Sequence, residues 1–135
     1  MRAIILCLAL CLARCELALA GQIPDNLAVK AVYNEALHDS VSLDAMCHAL
    51  RNRYVKIGDL RGVYGLRVDR PIPIKEWLKT KETWVKSAFT KDITKGATHW
   101  LSDYDLKHCK PSRMAWRFKM RETCYIGQTH FYKEV

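Results

Sequence analysis

The stretch Asp25-Asn26-Leu27-Ala28-Val29-Lys30-Ala31-Val32-Tyr33-Asn34-Glu35-Ala36-Leu37-His38-Asp39 decides how the rest of the chain is read. Leu27, Ala28, Ala31, Val32, Glu35 and Ala36 recur at helical spacing, and Pro24 stands where a helix start loses no hydrogen bond. The spacing predicts a first helix over about residues 25–38, with one carboxylate, Glu35, on its mostly apolar face. A buried carboxyl holds its proton to higher pH, so Glu35 is a candidate acid. Asp39, four residues on, would stack beside it if the helix persists and push in the same direction. An ion pair with Arg51 or Arg53 would do the opposite and leave Glu35 inert.

Downstream, Leu43, Met46, Cys47, Leu50 and Tyr54 mark the face of a second helix, capped by Ser42 and ended by Gly58, with Arg51 and Lys56 opposite. Gly62, Gly65, Pro71 and Pro73 break up residues 59–73, predicting a long loop with one short extended piece around Val63 to Val68. A third helix is expected over Ile74 to Lys91, its core stripe formed by Ile74, Trp77, Leu78, Val85, Ala88 and Phe89 among seven charged residues. Trp77 and Trp84 are assigned to the core and its rim. From Trp116 to Ile126 apolar and polar residues alternate with period two, which reads as a strand. Glu122 falls on its core-facing side. Short segments around Thr98 to Leu101 and His130 to Lys133 complete a small antiparallel sheet, so the expected architecture is α+β.

Upstream, Met1-Arg2 and the eleven-residue apolar run Ala3 to Ala13 precede Ala18-Leu19-Ala20. The run is far short of the roughly 20 residues that cross a bilayer. It reads as a signal peptide over residues 1–20, cleaved before a single domain over residues 21–135, and predicts a secreted or periplasmic protein with no stable membrane anchor. The whole chain has 135 residues, 22 Lys+Arg and 14 Asp+Glu, a net charge of +8. Without Arg2, Arg14 and Glu16 the domain keeps 20 basic and 13 acidic residues, a net of +7. The length excludes a multidomain enzyme, and the charge favours an anionic partner. Cys7, Cys11 and Cys15 leave with the leader, and Cys47, Cys109 and Cys124 remain. Cys109 with Cys124 is the favoured pair if one forms, since Cys47 lies in a helical apolar pattern. Cys109, Cys124, His99, His108 and His130 could ligate zinc, but no CxxC or HExxH spacing accompanies them, so neither metal nor cofactor is expected.

The segment Ala31-Val32-Tyr33-Asn34-Glu35-Ala36 and the helix closing Leu50-Arg51-Asn52-Arg53 resemble the start of the cell-wall hydrolase family that includes the spore cortex-lytic enzymes. Gly96-Ala97-Thr98-His99-Trp100 is similar to that family's Gly-Ala-aromatic segment. Ile126-Gly127-Gln128-Thr129-His130-Phe131-Tyr132 is similar to its closing Gly-x-His-x-Phe-Tyr signature. The resemblance spans Leu27 to Lys133 and implies a lysozyme-like α+β fold acting on the glycan strand of peptidoglycan. One departure is visible: the family follows its glutamate with Ala-x-Gly-Glu, where this chain has Ala36-Leu37-His38-Asp39.

Glycosidic cleavage needs a carboxylic acid that still holds its proton near neutral pH, and the resemblance puts Glu35 in that role. Hydrolysis wants a second carboxylate, whereas transglycosylation uses a hydroxyl of the substrate itself. Asp39, Asp103, Asp105 and Glu122 are possible partners, none singled out by spacing, so a lytic transglycosylase is the expected activity. Tyr64, Thr98, Trp100, Thr123, Tyr125 and His130 are candidate sugar contacts, with His99 and His130 able to steady the glutamate. The expected partner is the glycan strand rather than nucleic acid, and the expected state a monomer. The competing readings are a secreted basic ribonuclease-like toxin and an inactive glycan-binding module.

Overall fold

A computed structural model describes residues 22–135; the proposed signal segment lies outside the described residues. Helix α1, Asp25–Glu35, starts where the Pro24 carbonyl accepts the N–H groups of Leu27 and Ala28. Its buried face is Ala28, Val29, Ala31 and Val32. It stops three residues earlier than its periodicity predicts, so Asp39 leaves the helical face and begins a short 3-10 turn, Ser40–Ser42. Helix α2, Leu43–Ile57, follows and ends at Gly58, as expected. Ser42 precedes it without capping it, because its hydroxyl donates to the Asp39 carbonyl instead. Ala45 through Leu50 are all buried, so this half of α2 is surrounded on every side.

The loop after α2 holds a 3-10 turn, Tyr64–Arg67, where the sequence predicts an extended piece. Helix α3, Ile74–Ser87, is shorter than predicted and is rotated relative to the expected stripe. It buries Thr80, Trp84 and Ser87, and leaves Ile74, Leu78, Val85 and Phe89 exposed. Trp84 decides this rotation. Its Nε1–H donates to Asp25 Oδ1 at 3.2 Å, and the Arg51 guanidinium lies 3.7 Å from its ring centroid while donating to the Ser87 hydroxyl and the Trp84 carbonyl. Trp77 is half-buried at the rim.

Three antiparallel strands, β1 His99–Ser102, β2 Met120–Ile126 and β3 Thr129–Glu134, form a sheet in the order β1-β3-β2. The α+β architecture read from the sequence is the one observed. Helix α4, Asp103–His108, opens on a capping box between Ser102 and Asp105. It leads into a 3-10 helix, Pro111–Lys119, where the alternation had predicted strand. Trp116 therefore meets His99 and Tyr132 from a helical segment, and Phe118 is exposed. A bulge at Thr123 then shifts the phase of β2. Glu122 pairs with Tyr132 and Cys124 with Phe131, so two residues of equal parity face opposite ways and Glu122 is exposed rather than core-facing.

Phe131 and the buried residues of α1 and α2 make the main core, joined by Val63, Trp84 and Ala97. Fully burying a side chain such as Phe131 or Leu50 contributes about 1.5–3 kcal/mol. Leu101, Met114 and Tyr132 form a second cluster beneath the sheet's other face. Cys47, Cys109 and Cys124 are free; Cys124 Sγ points at the Ile93 carbonyl, so the favoured Cys109–Cys124 pair is not made. No helix among the described residues is long and apolar enough to cross a membrane.

Candidate functional site

Glu35 is the last residue of α1, at the end where the helix dipole disfavours negative charge. Its side chain is partly buried, and neutral donors hold it. The Gly65 N–H donates to Oε1 at 2.8 Å, and Trp100 Nε1–H donates to Oε2 at 3.0 Å. Burial pushes its pKa above the ordinary carboxylate value, with a smaller upward contribution from Asp105. The hydrogen bonds from Trp100, Gly65 and Tyr64 pull the other way without reversing it. Neither arginine that could have paired with it does so. Arg51 is held by Trp84 and Ser87, and Arg53 donates to the carbonyls of Thr98 and Arg61 at 3.3 and 2.7 Å. The outcome is a carboxyl with preorganised polar contacts and no ion pair among the described residues.

Each donor is delivered by a distinct piece of backbone. Gly65 packs directly on α1: a Cβ there would lie 2.3 Å from the Ala31 carbonyl oxygen and 3.1 Å from Glu35 Cγ. Asn34 fastens the same turn, its amide donating to the carbonyls of Gly65 and Lys30. Trp100, in β1, is set by the turn before that strand. Asn52 donates to Asp92 and to the Ala97 carbonyl, Asp92 gathers the N–H groups of Thr94 and Gly96, and Arg53 holds Thr98. The Asn52-Arg53 pair in the C-terminal half of α2 thus places the Gly96-to-Trp100 segment against Glu35.

Asp39 has a different task from the one its spacing suggested. Its Oδ2 accepts the Gln128 N–H at 2.7 Å and the Thr129 hydroxyl at 3.0 Å, clamping the β2–β3 turn to the segment after Glu35. Gly127 has φ of 60°, and a Cβ on it would come within 2.3 Å of Asp39 Oδ1, so only glycine fits the clamp. Counted back from Phe131-Tyr132, the signature's histidine position is occupied here by Thr129, the residue that bonds Asp39.

The candidate sugar contacts separate into two groups. Tyr64, 66% exposed, and Trp100 border Glu35. Thr98 lies buried beneath them, its hydroxyl paired with His99 Nδ1 at 2.9 Å. Thr123 sits in the bulge with its hydroxyl on the Phe131 carbonyl. His130 is one residue out of phase with Phe131 and so lies on the sheet face away from Trp100, hydrogen-bonded between Glu122 and Asp103. Tyr125 packs on it with its ring tilted by 36° and donates to Asp103 Oδ2 at 2.6 Å. His99 shares that far face, packed on Trp116; burial first, then the nearby Arg53 charge, pushes its pKa down to about 4.

Gly65 is the functional neighbour that sequence reading missed, because nothing local marks a loop glycine as a donor to a residue thirty positions earlier. An open groove of about 520 Å³, lined by Asn26, Lys30, Asp69, Arg70, Pro71, Ile72 and Trp77, lies elsewhere and excludes Glu35. Its polar walls are surface groups such as the exposed Lys30–Asp69 ion pair, so Glu35, partly buried and held by neutral donors, remains the better centre for chemistry. No three His, Cys, Asp or Glu residues converge to hold a metal among the described residues.

No family model matches the sequence, and no curated protein matches it. The fold is similar to that in the crystal structure of the catalytic domain of the Bacillus cereus SleB protein, with a TM-score of 0.57 and 17% identity over 81% of this chain and 88% of that one. That likeness, spread over most of both chains, is one of fold.

Proposed function

We propose that the protein cleaves the glycan strand of peptidoglycan as a lytic transglycosylase, with Glu35 as the general acid and then the general base. The observation that carries this reading is Glu35 itself: a carboxyl whose pKa is raised by burial, fixed by the Gly65 amide and the Trp100 indole, and in no ion pair among the described residues. Such a group gives its proton to the leaving glycosidic oxygen as positive charge develops on the sugar. The resulting carboxylate takes a proton from a hydroxyl of that same sugar, whose oxygen closes on the anomeric carbon. Glu35 ends protonated, and no water is consumed.

The one-carboxylate route is supported by what the other acids are doing. Asp39 clamps the hairpin, Asp105 caps α4, and Asp103 and Glu122 flank His130 on the far face. Tyr64 and Trp100 offer flat faces to a sugar ring. The fold shared with the catalytic domain of SleB and the ordered motifs of the cell-wall hydrolases point to the same substrate class. A ribonuclease reading would pair Glu35 with a histidine, and the two expected to steady it, His99 and His130, lie across the sheet from it.

The purified protein should clear a suspension of sacculi and leave RNA intact. Glu35→Gln should bind sacculi and fail to clear them. Clearing by the Gln variant would remove Glu35 from the chemistry, and cleaved RNA with intact sacculi would replace the substrate.

A further inference from the structure

Helix α3 turns toward the core with Thr80, Trp84 and Ser87, and carries a second, apolar line outward. Ile74, Leu78 and Val85 are 72, 56 and 43% exposed, and Phe89, four residues beyond Val85 in the turn that closes the helix, is 88% exposed. Spacings of four and seven residues put these side chains in one stripe. Lysines border it on both sides. Lys75, Lys79 and Lys86 lie along one edge, and Lys81 lies along the other, its ammonium 5.0 Å from the Trp77 ring centroid. Glu82, the acid nearest the stripe by helical position, is taken up by Lys86 at 2.6 Å. Lys91 and Lys95 follow the helix.

We propose that this face of α3 docks the protein reversibly on an anionic lipid surface. The apolar stripe would enter the boundary between headgroups and acyl chains, and the lysines on its borders would meet the lipid phosphates. Charge complementarity selects this occupant. A second copy of the chain, itself at +8, would press lysine against lysine. A soluble polyanion would satisfy the lysines and leave the stripe in water. Only a surface that is apolar beneath and anionic above matches both features at once. The contact needs no spanning segment, and it would hold the protein where membrane and wall meet.

Cosedimentation of the full chain with vesicles tests this, using phosphatidylcholine alone and phosphatidylcholine mixed with phosphatidylglycerol. Two variants accompany it: Leu78→Ser with Phe89→Ser, and Lys75→Glu with Lys79→Glu, all at exposed positions. Circular dichroism verifies that each keeps the native fold. The first twenty residues are common to all three proteins, so the difference between wild type and variants, not wild-type binding alone, carries the test. Wild type should bind the mixed vesicles, release them in high salt, and lose at least about tenfold in partitioning in each variant. Binding that survives in both variants overturns the proposal. So does loss in the lysine variant alone together with equal binding of wild type to soluble polyphosphate, or lipid-free self-association that the Leu78/Phe89 variant abolishes.

Discussion

Two influences on the Glu35 carboxyl act in opposite directions, burial and hydrogen bonding. Burial at the end of α1 raises its pKa, while the Trp100 indole and the Gly65 amide stabilise the anion and hold the group in place. The folded chain therefore keeps this proton to higher pH than the unfolded chain does. Stability from this group is complete below the unfolded pKa and falls as pH rises through the folded one. Glu35→Gln removes that loss, so urea unfolding should show a smaller drop in stability between acidic and neutral pH than in wild type. An identical drop would mean that Glu35 is not the shifted group. The same substitution should lower the rate of wall cleavage by about 10²–10⁴-fold, the usual weight of a positioned acid–base group. Trp100→Phe deletes a donor that lowers the Glu35 pKa, so the alkaline limb of the activity profile should move to higher pH. A limb that stays put or moves down would remove Trp100 from control of the acid.

At the scale of elements, the site is an agreement between a helix end, a loop turn and a strand. Gly65→Ala forces a methyl against the Ala31 carbonyl at a separation no real contact shows, which should cost about 1–3 kcal/mol and displace the amide from Glu35. Thermal melting and cleavage assays should fall together. Asp39→Ala frees the Gln128 N–H and the Thr129 hydroxyl and should cost a similar amount, about 1–3 kcal/mol. Unchanged melting would show that the clamp carries no weight. Helices α1 and α2 were legible in the sequence because small apolar residues repeat along them at a pitch that only a helix satisfies. The orientation of α3 was not. Its heaviest anchor, Trp84, sits between Thr80 and Ser87, and a count of hydrophobic residues favours the opposite face. The start of β2 was hidden by Trp116 and Phe118, whose spacing in a 3-10 helix imitates alternation, and the bulge at Thr123 reversed the face assigned to Glu122. Glu35 and Trp100 could be singled out one by one. Their hydrogen bond spans 65 positions, beyond the reach of any local pattern.

At the scale of the molecule, α1, α2, Trp84 of α3 and the three-stranded sheet enclose the main core, and no disulfide crosslinks it among the described residues. Cys47, Cys109 and Cys124 are free, and burial pushes the Cys47 thiol up to about 12. Peptide mapping after alkylation without reductant should find these three thiols labelled once the chain is denatured, and reductant should leave the melting temperature unchanged. A Cys109–Cys124 peptide would contradict the described core. In the proposed function the charge on the surface and the chemistry at Glu35 divide the work: the basic surface would favour an anionic envelope, and the buried carboxyl would cut. The most direct test of that central claim is mass analysis of the fragments released from a defined peptidoglycan glycan strand. Wild type should form new sugar ends one water lighter than hydrolysis would leave, and Glu35→Gln should form none. Hydrated ends, cut peptide stems with intact glycan, or the same products from the Gln variant would contradict it.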